Sequence, residues 1–169
     1  LTESVPATIM KTRCLYHLRK HFNSWPEKKF LQQNPDTQNL DNVLWSLTTL
    51  GVRPSQAFID EVEKKYSSQN PGAHEITTLL WTMAVLGIFP CGNFMEVLER
   101  RISTCRPSTK QIVTALWSLA ILDVIGQGYL KSRAQRIYEY FRDTDCFDLR
   151  TLKRNHIKKQ MMQAALWFD

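Results

Sequence analysis

The sequence predicts an all-α protein, and more specifically an α-solenoid of stacked two-helix repeats with a period of 36 residues. The first observation is a ten-residue phrase that occurs three times, as NVLWSLTTLG at 42–51, TLLWTMAVLG at 78–87 and TALWSLAILD at 114–123. The second is that its tryptophans, like the apolar residues around them, recur 36 residues apart with helical periodicity inside each unit. A period of about 20 to 50 residues is the signature of stacked units, none of which buries its apolar face alone.

The first helix of each repeat, helix A, carries the tryptophan and has recognisable start and stop signals. Asp36 and Ser108 are N-cap residues, and Ser108 with Gln111 has the spacing of a capping box. Gly51 and Gly87 follow the last apolar residue of the first two helices, where a left-handed C-cap favours a residue without Cβ. The predicted A helices span about 37–50, 73–86 and 109–122.

The second helix of each repeat, helix B, follows a turn that contains Pro54 in the first repeat and Pro90 in the second. Proline prevents the preceding helix from continuing, because it lacks the N–H group that the helix requires. Phe58, Val62 and Tyr66 then recur with helical spacing. The predicted B helices span roughly 55–67, 91–103 and 127–142.

These signals divide the chain into four segments. The three helical-pair repeats occupy 36–142, and residues 1–35 are predicted to form an N-terminal helical cap or a degenerate repeat. A basic insert is expected at 143–160. Residues 161–169 are predicted to begin a fourth repeat, because they contain the Ala-Leu-Trp of the repeated phrase.

Helix A presents three faces on a helical wheel. In the first repeat Leu40 and Leu44 belong to the apolar stripe that is expected to pack on helix B. The tryptophans Trp45, Trp81 and Trp117 lie on a second flank. We expect their indoles to form the junctions between repeats, each burying on the order of 200 Å².

The third face of helix A carries short hydrogen-bonding side chains, where an idle solvated helix face usually carries Lys and Glu. One explanation is that small polar residues let neighbouring A helices lie close together on a concave surface. The other is that they contact unpaired RNA bases, one base per repeat, since amides and hydroxyls supply both donors and acceptors. The RNA-base candidates are Asn39, Asn42, Ser46, Glu75, Thr78, Thr82, Gln111, Thr114 and Ser118.

Cations form a second recurring column, near the ends of the B helices. A row of cations is able to follow a phosphate backbone, although the helix dipole favours cations at helix C-termini whatever the protein binds. A denser group of five cations lies at 150–159. The phosphate candidates are Lys64, Arg100, Arg136, Arg150, Lys153, Arg154, Lys158 and Lys159.

The composition is that of a globular protein with basic ends. The chain has 169 residues, 43% of them apolar, and a formal net charge of +6. Residues 1–35 carry six basic against two acidic side chains and residues 106–169 carry eleven against six, whereas 36–105 is slightly acidic. A basic protein attracts phosphate polymers. With no long apolar run, we expect a soluble protein that does not cross a membrane.

The cysteines and the search for catalytic motifs argue against an enzyme. The four cysteines form no Cys-x-x-Cys pair, which favours free thiols in a reducing compartment. No phosphate-binding glycine loop, serine-hydrolase motif or zinc-protease motif is present in the sequence. Cys14, His17 and His21 share one predicted helical face, but a fourth zinc ligand has no obvious source, and the neighbouring leucines favour a plain amphipathic helix. We therefore expect no catalytic residues, no metal and no cofactor.

The repeated phrase, extended as NVLWSLTTLGVRP, TLLWTMAVLGIFP and TALWSLAILDVIG, resembles the octotricopeptide-type repeats and the related helical repeats of FAST-kinase-like and RAP-domain proteins. The resemblance covers about 36–142 and the start of a copy at the C-terminus. It implies an RNA-binding α-solenoid in a mitochondrion or chloroplast, acting in RNA stability, processing or translation. The alternative is a protein-interaction scaffold or structural subunit of a mitochondrial ribosome or other assembly, without base reading, because solenoids also bind peptides or partner subunits on the concave face. The expected partners are single-stranded RNA and other proteins of a ribonucleoprotein complex.

Overall fold

The computed structural model describes residues 26–143 and 155–168, and every regular element in them is an α-helix. The all-α prediction is therefore confirmed for this part of the chain. The helices are α1 (Glu27–Gln32), α2 (Thr37–Leu50), α3 (Gln56–Ser68), α4 (Ala73–Leu86), α5 (Gly92–Thr104), α6 (Thr109–Ile125), α7 (Lys131–Asp143) and α8 (Asn155–Phe168).

The helices form two rows, defined by the order in which they touch. Helices α2, α4, α6 and α8 contact one another in that order and are called row A. Helices α1, α3, α5 and α7 do the same and are called row B. The rows are joined where α2 meets α3, α4 meets α5 and α6 meets α7. None of the described helices combines the length and the apolar character that a membrane crossing requires.

The first two A helices begin and end where the local signals place them. The carboxylate of Asp36 accepts a hydrogen bond from the Asn39 N–H at 2.7 Å, which satisfies a backbone donor at the start of α2. Gly51 (φ 64°) and Gly87 (φ 63°) end α2 and α4 in the left-handed conformation. The N–H of Val52, the residue after Gly51, donates a hydrogen bond to the Leu47 carbonyl at 2.9 Å and closes the last turn of α2.

The third helix pair departs from the prediction at its turn. Helix α6 starts at Thr109 with the predicted Ser108 capping box, but it runs to Ile125 rather than to 122, and α7 starts at Lys131 rather than at 127. Asp123 stands at the position equivalent to Gly51 and Gly87, and this turn has no proline. The helix ends instead at the C-cap residue Gly126, and the buried carboxylate of Asp123 accepts the Leu130 N–H at 2.6 Å.

Helix α8 begins at Asn155, six residues before the predicted start of the fourth repeat at 161. Residues 155–160, assigned above to a basic insert, therefore form the first turns of a row A helix. The rest of that insert lies largely outside the described residues, and so do the N-terminal segment before residue 26 and the group of Cys14, His17 and His21.

The core lies between the two rows. Leu44, Leu80 and Leu116, one from each A helix and 36 residues apart, are buried there, as the helical wheel predicts. From row B, Phe58 and Phe94 are buried against them. Burial of such side chains stabilises each by roughly 1.5–3 kcal/mol relative to exposure.

Junctions along row B repeat the same contacts 36 residues apart. The Glu27 carboxylate of α1 accepts the N–H of Ser55 at the start of α3 at 2.9 Å. The Glu63 carboxylate of α3 accepts the N–H of Cys91 at the start of α5 at 3.1 Å. Each carboxylate thus satisfies a backbone donor at the beginning of the next row B helix. These acidic residues were not predicted to have any structural role.

Aromatic rings pair across the same junctions. The Phe30 and Phe58 rings lie 6.4 Å apart between α1 and α3, and the Tyr66 and Phe94 rings lie 6.4 Å apart between α3 and α5. Both members of the second pair lie 36 residues after their counterparts in the first. Row B is therefore held together by buried rings and inward-facing carboxylates.

A buried polar pair connects α2 to α3. The Tyr66 hydroxyl donates a hydrogen bond to Oδ1 of Asp41, whose side chain is 6% exposed. Burial raises the pKa of Asp41 to about 7; the Tyr66 hydrogen bond opposes this rise and the nearby charge of Glu75 adds to it. Burial likewise raises the pKa of Tyr66, with the charge of Asp41 as the second cause.

Candidate functional site

A groove of about 490 Å³ runs across the outer face of row A, and all four row A helices or their caps contribute to it. We call it the row A groove. Two indoles, Trp45 of α2 and Trp81 of α4, line it together with His74 and Lys110. The remaining lining side chains all carry a hydroxyl or an amide, namely Thr77, Thr78, Ser108, Gln111, Thr114 and Gln160.

The tryptophans do not form buried junctions in the way the sequence suggests. Trp45 is 55% exposed and Trp81 is half-buried at the groove. Trp117 is half-buried against the core, and its Nε1–H donates to Oε1 of Gln163 on α8 at 3.0 Å. The expectation of three buried indoles is thus wrong for Trp45, while Trp117 does contact the next row A helix.

The physical reason lies in the residues on the same flank of the helix. Thr48, Ala84 and Ala120 each follow a tryptophan by three positions, and all three are buried. Because these side chains are small, neighbouring A helices approach closely there, and a large indole does not fit between them. The indole of Trp45 consequently projects from the helix layer.

Three of the nine RNA-base candidates line the groove: Thr78, Gln111 and Thr114. The other exposed or half-buried candidates do not contribute to its lining, and these are Asn39, Asn42, Ser46 and Glu75. The RNA-base candidates at the surface thus fall into two groups, one that lines the row A groove and one that does not.

Thr82 and Ser118 are 0% exposed, so the prediction that they contact bases is wrong. The equivalent residue of α2, Ser46, is half-buried, and no row A helix precedes α2 in the described part of the chain. The difference indicates that this column packs against the preceding A helix. For Thr82 and Ser118 the close-packing explanation is therefore the correct one.

Hydrogen bonds fix what the groove side chains can offer to a ligand. The Thr114 hydroxyl donates to the Lys110 carbonyl at 2.9 Å, which leaves its oxygen as an acceptor. Oε1 of Gln111 accepts the Ser108 N–H at 2.7 Å, which orients the amide and leaves its NH₂ group as a donor. The groove thus presents an acceptor and a donor one helical turn apart on α6.

Charge distinguishes the groove from the opposite row. Among the described residues, none that lines the groove is acidic, and Lys110 supplies a positive charge. Every ion pair in the described part of the chain joins row B side chains, from α3, α5 and α7. Acid-free polar surface beside a lysine is suited to an anionic polymer.

The phosphate candidates on the B helices are not brought to the groove. Lys64, Arg100 and Arg136 lie on α3, α5 and α7, in row B. Lys64 lies 3.4 Å from Glu61, and Arg136 donates two hydrogen bonds to Glu99, at 2.7 and 3.1 Å. The hydrogen bond to Glu99 raises the pKa of Arg136. A phosphate would have to compete with these carboxylates, which disfavours the phosphate-binding role predicted for Lys64 and Arg136.

The basic candidates near the C-terminus are only partly described. Lys159 is exposed on α8, directly before the groove residue Gln160. The side chain of Lys158 lies outside the described residues, as do Arg150, Lys153 and Arg154 altogether.

Seven of the groove residues were not predicted from the sequence to belong to a binding site. A signal was present for the indoles, which recur on a flank adjacent to the polar column. The residues missed are Trp45, Trp81, His74, Thr77, Ser108, Lys110 and Gln160.

Within the described residues, no group of three His, Cys, Asp or Glu side chains is placed to hold a metal ion. Among its described lining residues the groove has neither a cysteine nor a carboxylate. What the arrangement can do chemically is stack, donate and accept hydrogen bonds, and attract negative charge. No protein-family model, curated protein or solved structure matches this chain.

Proposed function

We propose that this protein is an RNA-binding helical-repeat module, an α-solenoid with a period of 36 residues whose row A groove holds single-stranded RNA. The architecture is supported by contacts in which both partners shift by 36 residues. The Glu27–Ser55 hydrogen bond has its counterpart in Glu63–Cys91, and the Phe30–Phe58 ring pair has its counterpart in Tyr66–Phe94. Stacked repeats place equivalent side chains in a row.

The observation that carries the proposal is the chemistry of the row A groove. It combines one exposed and one half-buried indole, hydroxyl and amide groups and a lysine, with no acidic side chain among its described lining residues. Single-stranded RNA has unpaired base edges that accept and donate hydrogen bonds, aromatic faces that stack, and a negative backbone. A duplex would expose only its backbone and groove edges, which need no indoles.

The biological setting follows from the resemblance and from the cysteines. The resemblance to octotricopeptide-type repeats supports a role in RNA stability, processing or translation in a mitochondrion or chloroplast. Free thiols support a reducing compartment, and Cys91 and Cys105 are unpaired in the structure. We propose a binding module and not an enzyme, since the sequence contains none of the catalytic motifs sought above.

A second function, that of a protein-interaction scaffold or structural subunit of an assembly, is favoured by a different surface. At the turn between α6 and α7, Val124 is 68% exposed and Tyr129 is 61% exposed. The Tyr129 ring packs at 5.9 Å on that of Phe89. Contiguous exposed apolar surface is typical of contacts between proteins.

The test is binding of a random pool of 12-nucleotide single-stranded RNA, followed by sequencing of the retained molecules. Thr78→Ala and Thr114→Ala are expected to change which sequences are retained, because they remove hydroxyls from the groove. Lys110→Gln is expected to weaken the binding of all RNA sequences. It should also reduce the slope of log affinity against log salt concentration by about one, the contribution of one phosphate contact. The matched control is Arg136→Gln, which removes a row B cation and is expected to leave binding unchanged.

The measurements are fluorescence anisotropy at several salt concentrations and sequencing of the bound pool. A dissociation constant no tighter than about 10⁻⁴ M at physiological salt, the nonspecific level, would reject the RNA function. The scaffold function would then be retained.

A further inference from the structure

We propose that Trp45 and Trp81 form a stacking ladder with two open steps, each holding one unstacked nucleobase of a single strand. This inference rests on the proposed function and names the part of the ligand that the groove recognises. It assigns to the indoles a ligand-binding role instead of the junction role that the sequence suggests.

A large aromatic side chain, that of Trp45, is exposed at a polar surface. Trp45 is 55% exposed although the small residue Thr48 on the same flank is buried. Packing between the A helices therefore does not use the Trp45 indole, and its apolar face is left in contact with water. Such a face gains free energy when a flat aromatic group covers it.

The two indoles line the same groove and lie on neighbouring helices. Trp45 belongs to α2 and Trp81 to α4, at equivalent positions 36 residues apart. Packed helices have axes about 8–10 Å apart, and we expect a similar spacing between the equivalent indoles of α2 and α4. Helical-repeat proteins that bind RNA do so at one base per repeat, which this arrangement reproduces.

The next tryptophans in the series have partners within the protein. The Trp117 N–H is bonded to Gln163 of α8, and Trp117 is half-buried against the core. The ammonium group of Lys131 lies 6.0 Å from the ring centre of Trp167. Two indoles line the groove, and the protein itself provides partners for the following ones.

The polar side chains near Trp45 and Trp81 favour a nucleobase as the ligand, because a base has hydrogen-bonding edges as well as an aromatic face. Thr78 lies near Trp81 on α4, while Thr114 and Gln111 project from α6 into the same groove. Stacking tolerates every base because every base has an aromatic face, whereas the hydroxyl and amide groups distinguish base edges. We therefore expect affinity from the indoles and selectivity from the threonines and Gln111.

The experiment compares three probes: the 12-nucleotide single-stranded RNA pool, the same length of RNA duplex, and inorganic polyphosphate. Trp45→Leu and Trp81→Leu are each expected to weaken single-strand binding by about 5-fold to 150-fold, the range reported for loss of one aromatic stacking partner. Trp45→Phe keeps an aromatic face and is expected to lose less. The salt slope and the binding of polyphosphate should not change, because no charge is removed.

The matched control is Tyr129→Leu, which removes an aromatic side chain of similar exposure that does not line the groove. Its binding of single-stranded RNA is expected to equal that of the unaltered protein. Far-UV circular dichroism verifies that each variant remains helical.

A readout on the unaltered protein avoids any effect of substitution on folding. With fluorinated tryptophan incorporated, ¹⁹F NMR resonances of Trp45, Trp81 and Trp117 are assigned from the corresponding Phe variants. Single-stranded RNA is expected to shift the first two resonances and to leave that of Trp117 nearly unchanged.

The outcomes separate the two proposals. If the unaltered protein binds single-stranded RNA no better than polyphosphate or duplex, the proposed function itself fails. If it binds RNA selectively but Trp45→Leu and Trp81→Leu bind equally well, the RNA function stands and the stacking ladder is rejected. Shifts confined to Trp117 would also reject the ladder.

Discussion

The helices of row A and row B alternate along the same chain, yet the two rows place their aromatic side chains in different environments. In row B, Phe58 and Phe94 are buried and paired with rings of the preceding helix. In row A, small residues such as Thr48 and Ala84 occupy the buried flank, and Trp45 remains largely exposed. The difference indicates that both rows contribute to the core, row B through aromatic rings and row A through aliphatic and small side chains, while Trp45 of row A stays at the surface.

Charges follow the same division. Row B joins its helices through the Glu27 and Glu63 carboxylates and bears the ion pairs of the described residues. The row A groove has no acidic lining residue in that part of the chain. We therefore expect substitutions of exposed groove side chains to affect stability less than substitutions of the buried row B rings. This comparison leads to three predictions about stability.

The largest expected effect compares one aromatic from each row. Phe94→Ala should lower the free energy of unfolding by about 3–5 kcal/mol, since it removes a buried ring and leaves a cavity. Trp45→Ala should lower it by less than about 1 kcal/mol, because more than half of its surface is exposed. Urea denaturation followed by circular dichroism measures both. Equal losses would show that row A depends on its indoles as much as row B depends on its rings.

The second prediction concerns Asp41, the buried carboxyl that joins α2 of row A to Tyr66 of row B. Its pKa is raised from 3.8 to about 7 by burial, so the folded protein retains a proton that the unfolded chain releases. The free energy of unfolding should therefore fall as the pH rises from about 4 to 7, by about 1–4 kcal/mol from this group. Asp41→Asn does not titrate and keeps an oxygen that can accept the Tyr66 hydrogen bond.

The measurement is the difference in the free energy of unfolding between Asp41→Asn and the unaltered protein, from urea titrations between pH 4.5 and 8. Other titrating groups cancel in this difference. The free energy of unfolding of Asp41→Asn should rise relative to that of the unaltered protein as the pH increases. Parallel curves over this range would mean that the Asp41 carboxyl titrates near its ordinary pKa.

Elements governed by local chemistry were predictable from the sequence. Helices α2 and α4 have the predicted bounds because Asp36 and the two C-cap glycines act within one turn of the chain. The end of α6 was not predictable in this way. The helix continues past Asp123, whose carboxylate accepts the Leu130 N–H inside the fold, to the C-cap residue Gly126, and no local pattern distinguishes such an aspartate from a solvated one.

The groove was predicted only in part, for a related reason. A helical wheel gives the direction of a side chain but not the distance to the next helix. It placed Thr78 and Thr114 correctly, yet it also placed Thr82 and Ser118 on the same face, although both are covered by close helix packing. The exposure of Trp45 likewise depends on how closely α2 and α4 approach.

The smallest expected effect tests whether the recurring carboxylates of row B stabilise the fold in the same way. Glu63→Ala leaves the N–H of Cys91 without its acceptor and should lower the free energy of unfolding by about 1–3 kcal/mol. Glu63→Gln retains an acceptor oxygen and should cost less. The equivalent residue of the next helix, Glu99, instead pairs with Arg133 and Arg136 near the surface, where an ion pair contributes about 0–1 kcal/mol.

Glu99→Ala is therefore the matched control for Glu63→Ala, at a position 36 residues later and in the same kind of helix. Urea denaturation at low and at high salt distinguishes the two roles. Salt should reduce the effect of Glu99→Ala, because a surface ion pair is screened, and leave that of Glu63→Ala nearly unchanged. If both substitutions cost the same and respond equally to salt, then the Glu63 hydrogen bond is no stronger than a surface charge pair. The junctions of row B would in that case be maintained by the ring pairs alone.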